Sequence, residues 1–463
     1  MAKFVFTPKE SSEIAASYDA VIVGAGGTGL TAAMQAHELG LKVAVFEKNE
    51  GLGGNTNKAS SGMNASESNV QYAQGIIDNK EDFYKETLKG GGLLNDRDML
   101  RYFVDHSAIA ISWLEEHGID LTDLTITGGM SKKRAHRPAS MAPVGGYLIT
   151  GLLKKIQEED IPVFNKAKVT KLVEADKSVT GIEVETESGL KKVSAKAVLL
   201  ASGGFGASKE MMKKYRPDLV DYKTTNQAGA TGDGLKLAEA VDAQLMQMEY
   251  VQVHPTAQTD GARTFLIGEA VRGEGAILVN RAGKRFVNEL NTRKIVSNAI
   301  TGLNEDGAYL IFDQGIRDHV KAVEFYDAIG LVKHGAGLAE LANEIGVDAA
   351  NLEATVKTWN EAVKASNDTE FGRSTGMDRG IEKGPFFAIH IHPAIHYTMG
   401  GIHITPETKV LDTNGNVIKG LYAAGEVSGG LHGNNRIGGN SIAETVIFGR
   451  QAGMQMAKFA REN

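Results

Sequence analysis

Residues 18–48 constrain this chain most: they read as a strand, a glycine turn, a helix and a second strand ending in an acid. In the run YDAVIVGAGGTGLTAAMQAHELGLKVAVFEK, Gly24, Gly26 and Gly29 fall in G-x-G-x-x-G spacing, and Glu47 follows at the spacing of a ribose-binding carboxylate. Gly24 permits the tight turn, and Gly26 lets the backbone approach a pyrophosphate. Gly29 lets helix and strand pack closely, while the helix N-terminus faces the negative charge. Glu47 is suited to accept hydrogen bonds from adenosine ribose hydroxyls, and the adjoining Gly27 and Lys48 join the same candidate set. A lone glycine triplet is weak evidence. The complete βαβ context favours dinucleotide binding over a plain buried βαβ unit.

At 463 residues and 42% hydrophobic, the chain has room for two or three domains with a large core. With 57 acids against 50 bases the net charge is −7, so no nucleic-acid partner is expected. The chain has no cysteine, which removes disulfides and thiolate-held metals and fits a cytoplasmic setting. No metal site is assigned. The start, MAKFVFTPKE, lacks the apolar stretch of a secretory signal, and no apolar run reaches the length of a membrane span. No C-x-x-C-H motif for covalent haem occurs.

Residues 1–17 read as a polar arm. The loop 51–62 (GLGGNTNKASSG) is too rich in Gly, Ser and Asn for a regular element, and 82–118 reads as helices. The basic run 131–138 (SKKRAHRP) reads as a solvated charge run. Residues 162–201 alternate in period two, which suggests an antiparallel meander ending in the glycine turn ASGGFG. VQVHPT is strand-like, 338–366 is helical, LYAAGEVSGG repeats the strand-to-glycine-turn pattern, and 441–460 is a helix. The expected fold class is α/β. A discontinuous Rossmann-like domain, built from 18–249 and 396–463 and carrying the meander, holds an inserted α+β capping domain at 250–395.

These motifs, in this order, resemble the flavoprotein subunit of the fumarate reductase and succinate dehydrogenase family. The likeness is greatest to its soluble, single-chain fumarate reductases and flavocytochrome c flavin domains. It covers about residues 18–460 and rests on the dinucleotide fingerprint, GGNT, HPT, EAVRG, NELNTR, HYTMGG and AAGEVSGGLHGNNRIGGNS. The resemblance implies FAD rather than NAD. The motif AAGE (423–426) fits, because a long cofactor needs a second strand-turn-acid for its middle. Membrane-bound relatives attach FAD covalently through a His in the loop after the βαβ unit. Asn55 stands at the matching position, which implies non-covalent FAD. The implied cofactor set extends over Gly54, Asn55, Thr56, Ser60, Gly62, Gly203, Gly204, Asp233, Gly425, Glu426, Asn440, Ser441 and Ile442.

In that family, reduced flavin passes hydride from N5 to an enoate polarised by cations at its carboxylates. The resemblance assigns Arg436 and His396 to one end of the substrate and His254 to the other, making both ends cationic, and counts Gly439 among the substrate-binding residues. Arg293 matches the proton donor, fed through Glu269 and Arg272, which at i and i+3 share a helical face. Arginine is an unusual acid, with a pKa above about 12, but a carbanion-like centre is a far stronger base. Taken singly, these residues have plainer readings: a surface ion pair for each arginine, a core role for each histidine. Thr398, Met399, Gly400 and Gly401 are expected to pass near the flavin. Gly268 stands where some relatives have Thr, leaving room for a different substrate group.

The expected activity is an FAD-dependent reduction of fumarate to succinate. Alternatives are reduction of another unsaturated acid (urocanate, methacrylate or a cinnamate-like compound), a related FAD-dependent dehydrogenase or oxidase, and a flavin-binding electron carrier. The electron donor stays open among reduced flavin, an NADH-linked reductase and a quinol-linked protein.

Overall fold

A computed structural model describes residues 4–139 and 142–463. The strand Ser17–Val23 is apolar on both faces from Ala20 onward, as a central strand covered by helices must be. It runs parallel between Val43–Phe46 and the second half of the long strand Gly189–Leu200. Val163–Phe164 extends this sheet on one side, and Leu421–Ala423 extends it on the other, parallel to Val198–Leu200. The first half of Gly189–Leu200 pairs antiparallel with Ser178–Thr186, which in turn pairs with Lys168–Ala175. One strand therefore belongs to both the parallel sheet and the meander.

Helix Gly27–Glu38 lies against the last helix, Asn440–Glu462. Two glycines set the spacing. A Cβ on Gly449 would sit 2.8 Å from the Thr28 carbonyl oxygen, and one on Gly453 would sit 2.9 Å from that of Ala32. Opposite ends of the chain thus close on each other directly behind the glycine turn.

The buried apolar side chains form two clusters. One draws on Tyr18–Val251 and Ile395–Ala460, the other on Ile267–Ile391. The second cluster is built on a six-stranded sheet in which Phe386–Thr398 pairs antiparallel with both Val251–Gln258 and Ala308–Asp313. Val251–Gln258 and Phe386–Thr398 pass between the two clusters, carrying His254 and His396 at the crossing.

Two sequence expectations are corrected. The loop 51–62 contains a short 3-10 helix, Thr56–Lys58. The run 131–138 is a solvated charge run only at Ser131, Lys132 and Lys133, which are exposed: Arg134, His136 and Arg137 are buried, and Ala135–Arg137 forms a strand. Arg134 is held by both oxygens of Asp78, at 2.7 Å each, and by Glu86 at 2.5 Å. Those acids lie about fifty residues upstream, so the local run does not reveal them. Residues 140 and 141 lie outside the described residues. Among the described residues, no helix is long and apolar enough to cross a membrane.

The second cluster encloses an ionic network. Glu289 accepts from Arg285 (2.9 Å, twice) and from Arg373 (3.2 Å), and Asp368 holds the far side of Arg285. Trp359 lies against both guanidiniums, at 4.7 and 4.6 Å. Removing one member leaves buried charge unpaired. Glu289→Ala should therefore cost about 3–5 kcal/mol, read as a lower urea midpoint for Trp359 fluorescence in a Trp113→Phe background.

Candidate active site

Between the two clusters lies a cavity of ≈ 1040 Å³. One end is walled by the glycine turn, where Gly24, Gly26 and Gly27 line the surface with Glu47 and Lys48. Gly24 takes φ +110°, open to glycine. A Cβ on Gly26 would meet no protein atom within 4 Å. Packing does not demand glycine there, and the open backbone leaves room for a ligand to approach. The glycine-lined groove therefore fits a dinucleotide. Gly54, Asn55, Thr56, Ser60, Gly203, Asp233, Glu426, Ser441 and Ile442 line the same cavity.

The polar groups of this end brace one another. Glu47 accepts from the backbone N–H of Ala25 (3.0 Å) and Asn49 (2.9 Å). Lys48 bonds Asp233 (2.9 Å) and Thr231 (2.7 Å). Asn55 donates to Asn226 (2.6 Å) and Glu426 (3.4 Å), and accepts from Gln227 N–H (2.8 Å). Burial pushes the Glu426 carboxyl up to about 7 against bonds from Thr398 and Asn55.

Several predicted residues stand behind the lining instead of in it. Gly29 packs on the Gly24 carbonyl, Gly204 on the Thr398 hydroxyl and Gly425 on the Thr28 side chain. Gly62 is closed off by the His136 carbonyl, 2.6 Å from a would-be Cβ. Asn440 and Gly439 are held through Asn64, which donates to Asn440 Oδ1 and the Gly438 carbonyl (2.7 Å each). Arg272 is fully buried behind Glu269. At these positions glycine answers packing, which the letter alone does not separate from ligand contact.

The other end gathers His254, Glu269, Arg293, His396 and Arg436 on the cavity wall. Arg293 opens helix Arg293–Gly302, whose N-cap Thr292 accepts from Ile295 N–H. Its Nη2 donates to Glu269 Oε2 at 2.9 Å, and Arg272 Nη2 stands 3.7 Å from Glu269 Oε1. Burial alone would raise the Glu269 carboxyl, but Arg293, Arg272 and the Gly128 N–H bring it below its ordinary value. Burial lowers Arg272 to about 10 and, with Arg293 nearby, Arg436 to about 9. Arg436 lies 4.4 Å over the Tyr397 ring, whose hydroxyl donates to Glu444 at 2.5 Å.

The two imidazoles face each other, ring centres 4.9 Å apart. Burial, reinforced by Arg293, holds both well below the ordinary histidine range. Burial and the neighbouring arginines therefore favour the neutral form of both rings, against the expected cationic histidines. His254 Nδ1 accepts from Thr256 N–H (3.2 Å), which puts its proton on Nε2, a buried donor with no protein partner. His396 Nδ1 meets the Thr225 hydroxyl at 2.7 Å.

Gln252 was not singled out by sequence. Its Oε1 accepts from Arg293 (3.1 Å), and its Nε2 donates to the Arg436 carbonyl (2.6 Å), tying the two arginines together. The signal was present: in VQVHPT, Gln252 and His254 alternate onto one face. Tyr326, whose hydroxyl accepts from Gly268 N–H (3.0 Å), was likewise missed. At Gly268 a Cβ would meet Ser60 Oγ at 2.8 Å.

The family model described as "FAD binding domain" matches residues 19–442. The "NADH:fumarate oxidoreductase" of Klebsiella pneumoniae is 47% identical over 446 residues, covering 96% of this chain and 48% of that protein. The chain thus spans about half the length of that relative. The "Fumarate reductase (cytochrome)" of Shewanella frigidimarina is 40% identical over 447 residues, covering 96% of this chain and 78% of the relative. A solved open conformation of a flavocytochrome c3 fumarate reductase superposes with a TM-score of 0.78 at 39% identity, covering 97% of this chain and 80% of that one.

The depressed histidines predict a pH effect. Their folded pKa lies below the unfolded value near 6.5, so their contribution is present above that pH and is lost as pH falls beneath it. The urea midpoint of the substrate-free protein should drop between pH 7.5 and 5.5. The drop should be shallower in His254→Asn/His396→Asn; an equal slope would deny that these rings are held neutral.

Proposed function

Because the chain belongs to the FAD-binding flavoprotein family that includes the fumarate reductases, we propose that it reduces fumarate to succinate, with Arg293 as proton donor. The observation that carries this reading is the gathering of Arg293, Arg436, His254 and His396 on one cavity wall around the buried, ionised Glu269. With Arg272 behind them, three guanidiniums face one carboxylate. Such a site favours an anion with two negative charges.

Gly24, Gly26, Gly27, Lys48 and the loop 54–60 would hold FAD, which when bound supplies the electron pair as hydride. Asn55 offers no nucleophile for a covalent bond, so attachment is non-covalent, and flavin should pass into the supernatant on acid precipitation. Arg436 and the donor Nε2 of His254 hold the substrate carboxylates and draw charge away from the double bond. Arg293 gives an N–H proton to the carbon that becomes basic. Glu269, 2.9 Å away, is a carboxylate and acts as a relay: it accepts a proton from the Arg272 side and passes it to the deprotonated Arg293, and Arg272 is reprotonated in turn. Gln252 keeps Arg293 in line with Arg436.

Arg293→Ala should lower fumarate reduction from a reduced dye at least about 100-fold, with flavin absorbance retained; undiminished turnover would remove Arg293 as the acid. Across a panel of enoates, fumarate should be the best acceptor. Turnover of urocanate, methacrylate or a cinnamate without fumarate would reassign the substrate. Binding of a dicarboxylate beside neutral imidazoles raises their pKa, so it takes up protons and tightens as pH falls. Calorimetry of succinate in buffers of different ionisation enthalpy measures that uptake, and proton release would contradict the sign.

A further inference from the structure

Away from the cavity wall, strand Phe386–Thr398 carries His390 and His392, two residues apart and so on one face. Both rings present Nδ1 to Asp260, in the turn before strand Phe265–Leu266. His390 Nδ1 is 3.0 Å from each Asp260 oxygen, and His392 Nδ1 is 3.8 Å from Oδ1. The Nε2 atoms face Asp306: His390 meets its backbone carbonyl at 2.7 Å, and His392 its carboxylate at 2.9 Å. Carbonyl and carboxylate oxygens only accept, so both Nε2 atoms carry hydrogen. A neutral His390 then has a lone pair at Nδ1 aimed at the Asp260 carboxylate, whereas His392 Nδ1 also meets the Thr259 hydroxyl, at 3.0 Å. The mismatch at His390 is relieved either by a further proton on that ring or by one divalent cation between the Nδ1 atoms and Asp260, which would take the place of the Thr259 hydroxyl at His392.

The geometry points to a divalent cation site of the zinc type, with ligands His390 Nδ1, His392 Nδ1 and Asp260. One ligand atom from each lies within 4.8 Å of the others. Tetrahedral zinc with bonds near 2.0 Å spaces its ligand atoms about 3.3 Å apart, so the set closes on a cation with shifts of about 1.5 Å or less. Two imidazoles and one carboxylate suit zinc or a neighbouring transition metal better than calcium or magnesium. Asp306 supplies the outer contacts that metal-bound histidines normally make through their second nitrogen. Three protein ligands leave a fourth position for water.

The position gives the site a consequence. Asp260 opens the loop whose following residues, Ala262–Leu266, line the cavity. A cation at Asp260 pins that loop to the central strand of the second cluster. It acts on the loop, not on the reacting atoms, and it does not depend on which acid the enzyme reduces.

The test uses untagged, FAD-loaded protein stripped with chelator and titrated with zinc chloride against a chromogenic chelator. One zinc should bind per chain, and His390→Gln/His392→Gln should lose it. Asp260→Asn should weaken binding at least tenfold, and Asp306→Asn about 10–100-fold. Zinc should also slow proteolytic cleavage within 259–264 in the wild type and not in Asp260→Asn. Asp260 is exposed, so its variant keeps the test decisive if the double variant loses flavin. Equal zinc uptake by wild type and His390→Gln/His392→Gln, or no uptake by the wild type at stoichiometric zinc, would overturn the proposal and leave a proton-held ion cluster.

Discussion

The carboxylate of Glu269, enclosed between Arg293 and Arg272, is the interaction on which the rest of the site depends. A buried acid is costly unless it is paired, and a buried guanidinium is equally so. Here one acid serves two bases, and a third base, Arg436, stands nearby without an acid of its own in contact. Such an arrangement persists only if its surroundings hold it. Arg272 donates to the Glu289 carbonyl, and Arg373 donates to the Arg272 carbonyl. The segment bearing Glu289 continues through Thr292 into Arg293. The ionic network of the second cluster is therefore the frame that keeps the excess charge in place.

The opposite wall comes from the first cluster, where different physics governs. Backbone and small side chains line the glycine turn, and the polar groups there satisfy one another, as with Glu47 and the Ala25 N–H. That wall offers shape and open backbone. The arginine-bearing wall offers charge that one carboxylate does not neutralise. The strands carrying His254 and His396 run between the two regimes, so a shift of one cluster relative to the other moves the charged groups against the glycine-lined groove.

Local features of the fold were legible in the sequence because they are written in neighbouring residues. The βαβ unit, the meander and the terminal helix follow from periodicity and glycine placement. The burial of Arg134 to Arg137 was not legible, because Asp78 and Glu86, which neutralise Arg134, arrive from a distant helix and loop. The division between packing glycines and ligand-facing glycines was also hidden: Gly26 and Gly29 share one motif, yet one faces space and the other a carbonyl oxygen. The charge state of the histidines was illegible for a related reason. It is set by burial and by arginines that only the fold brings near. Gln252 differs, since strand alternation put it beside His254 in plain view.

Under the proposed function, charge balance also bears on substrate choice. With Glu269 ionised, Arg272, Arg293 and Arg436 leave two positive charges uncompensated among these four groups. A dianion cancels them; a monoanion leaves one guanidinium facing low-dielectric surroundings, where an unpaired charge is expensive. The histidines sharpen this preference. Held below their ordinary range by burial and by Arg293, they would become easier to protonate as negative charge enters. Gly268 adds a limit of shape. Ser60 and Tyr326 already crowd the place a side chain would take there, so charge and not a hydroxyl at that position must do the discriminating.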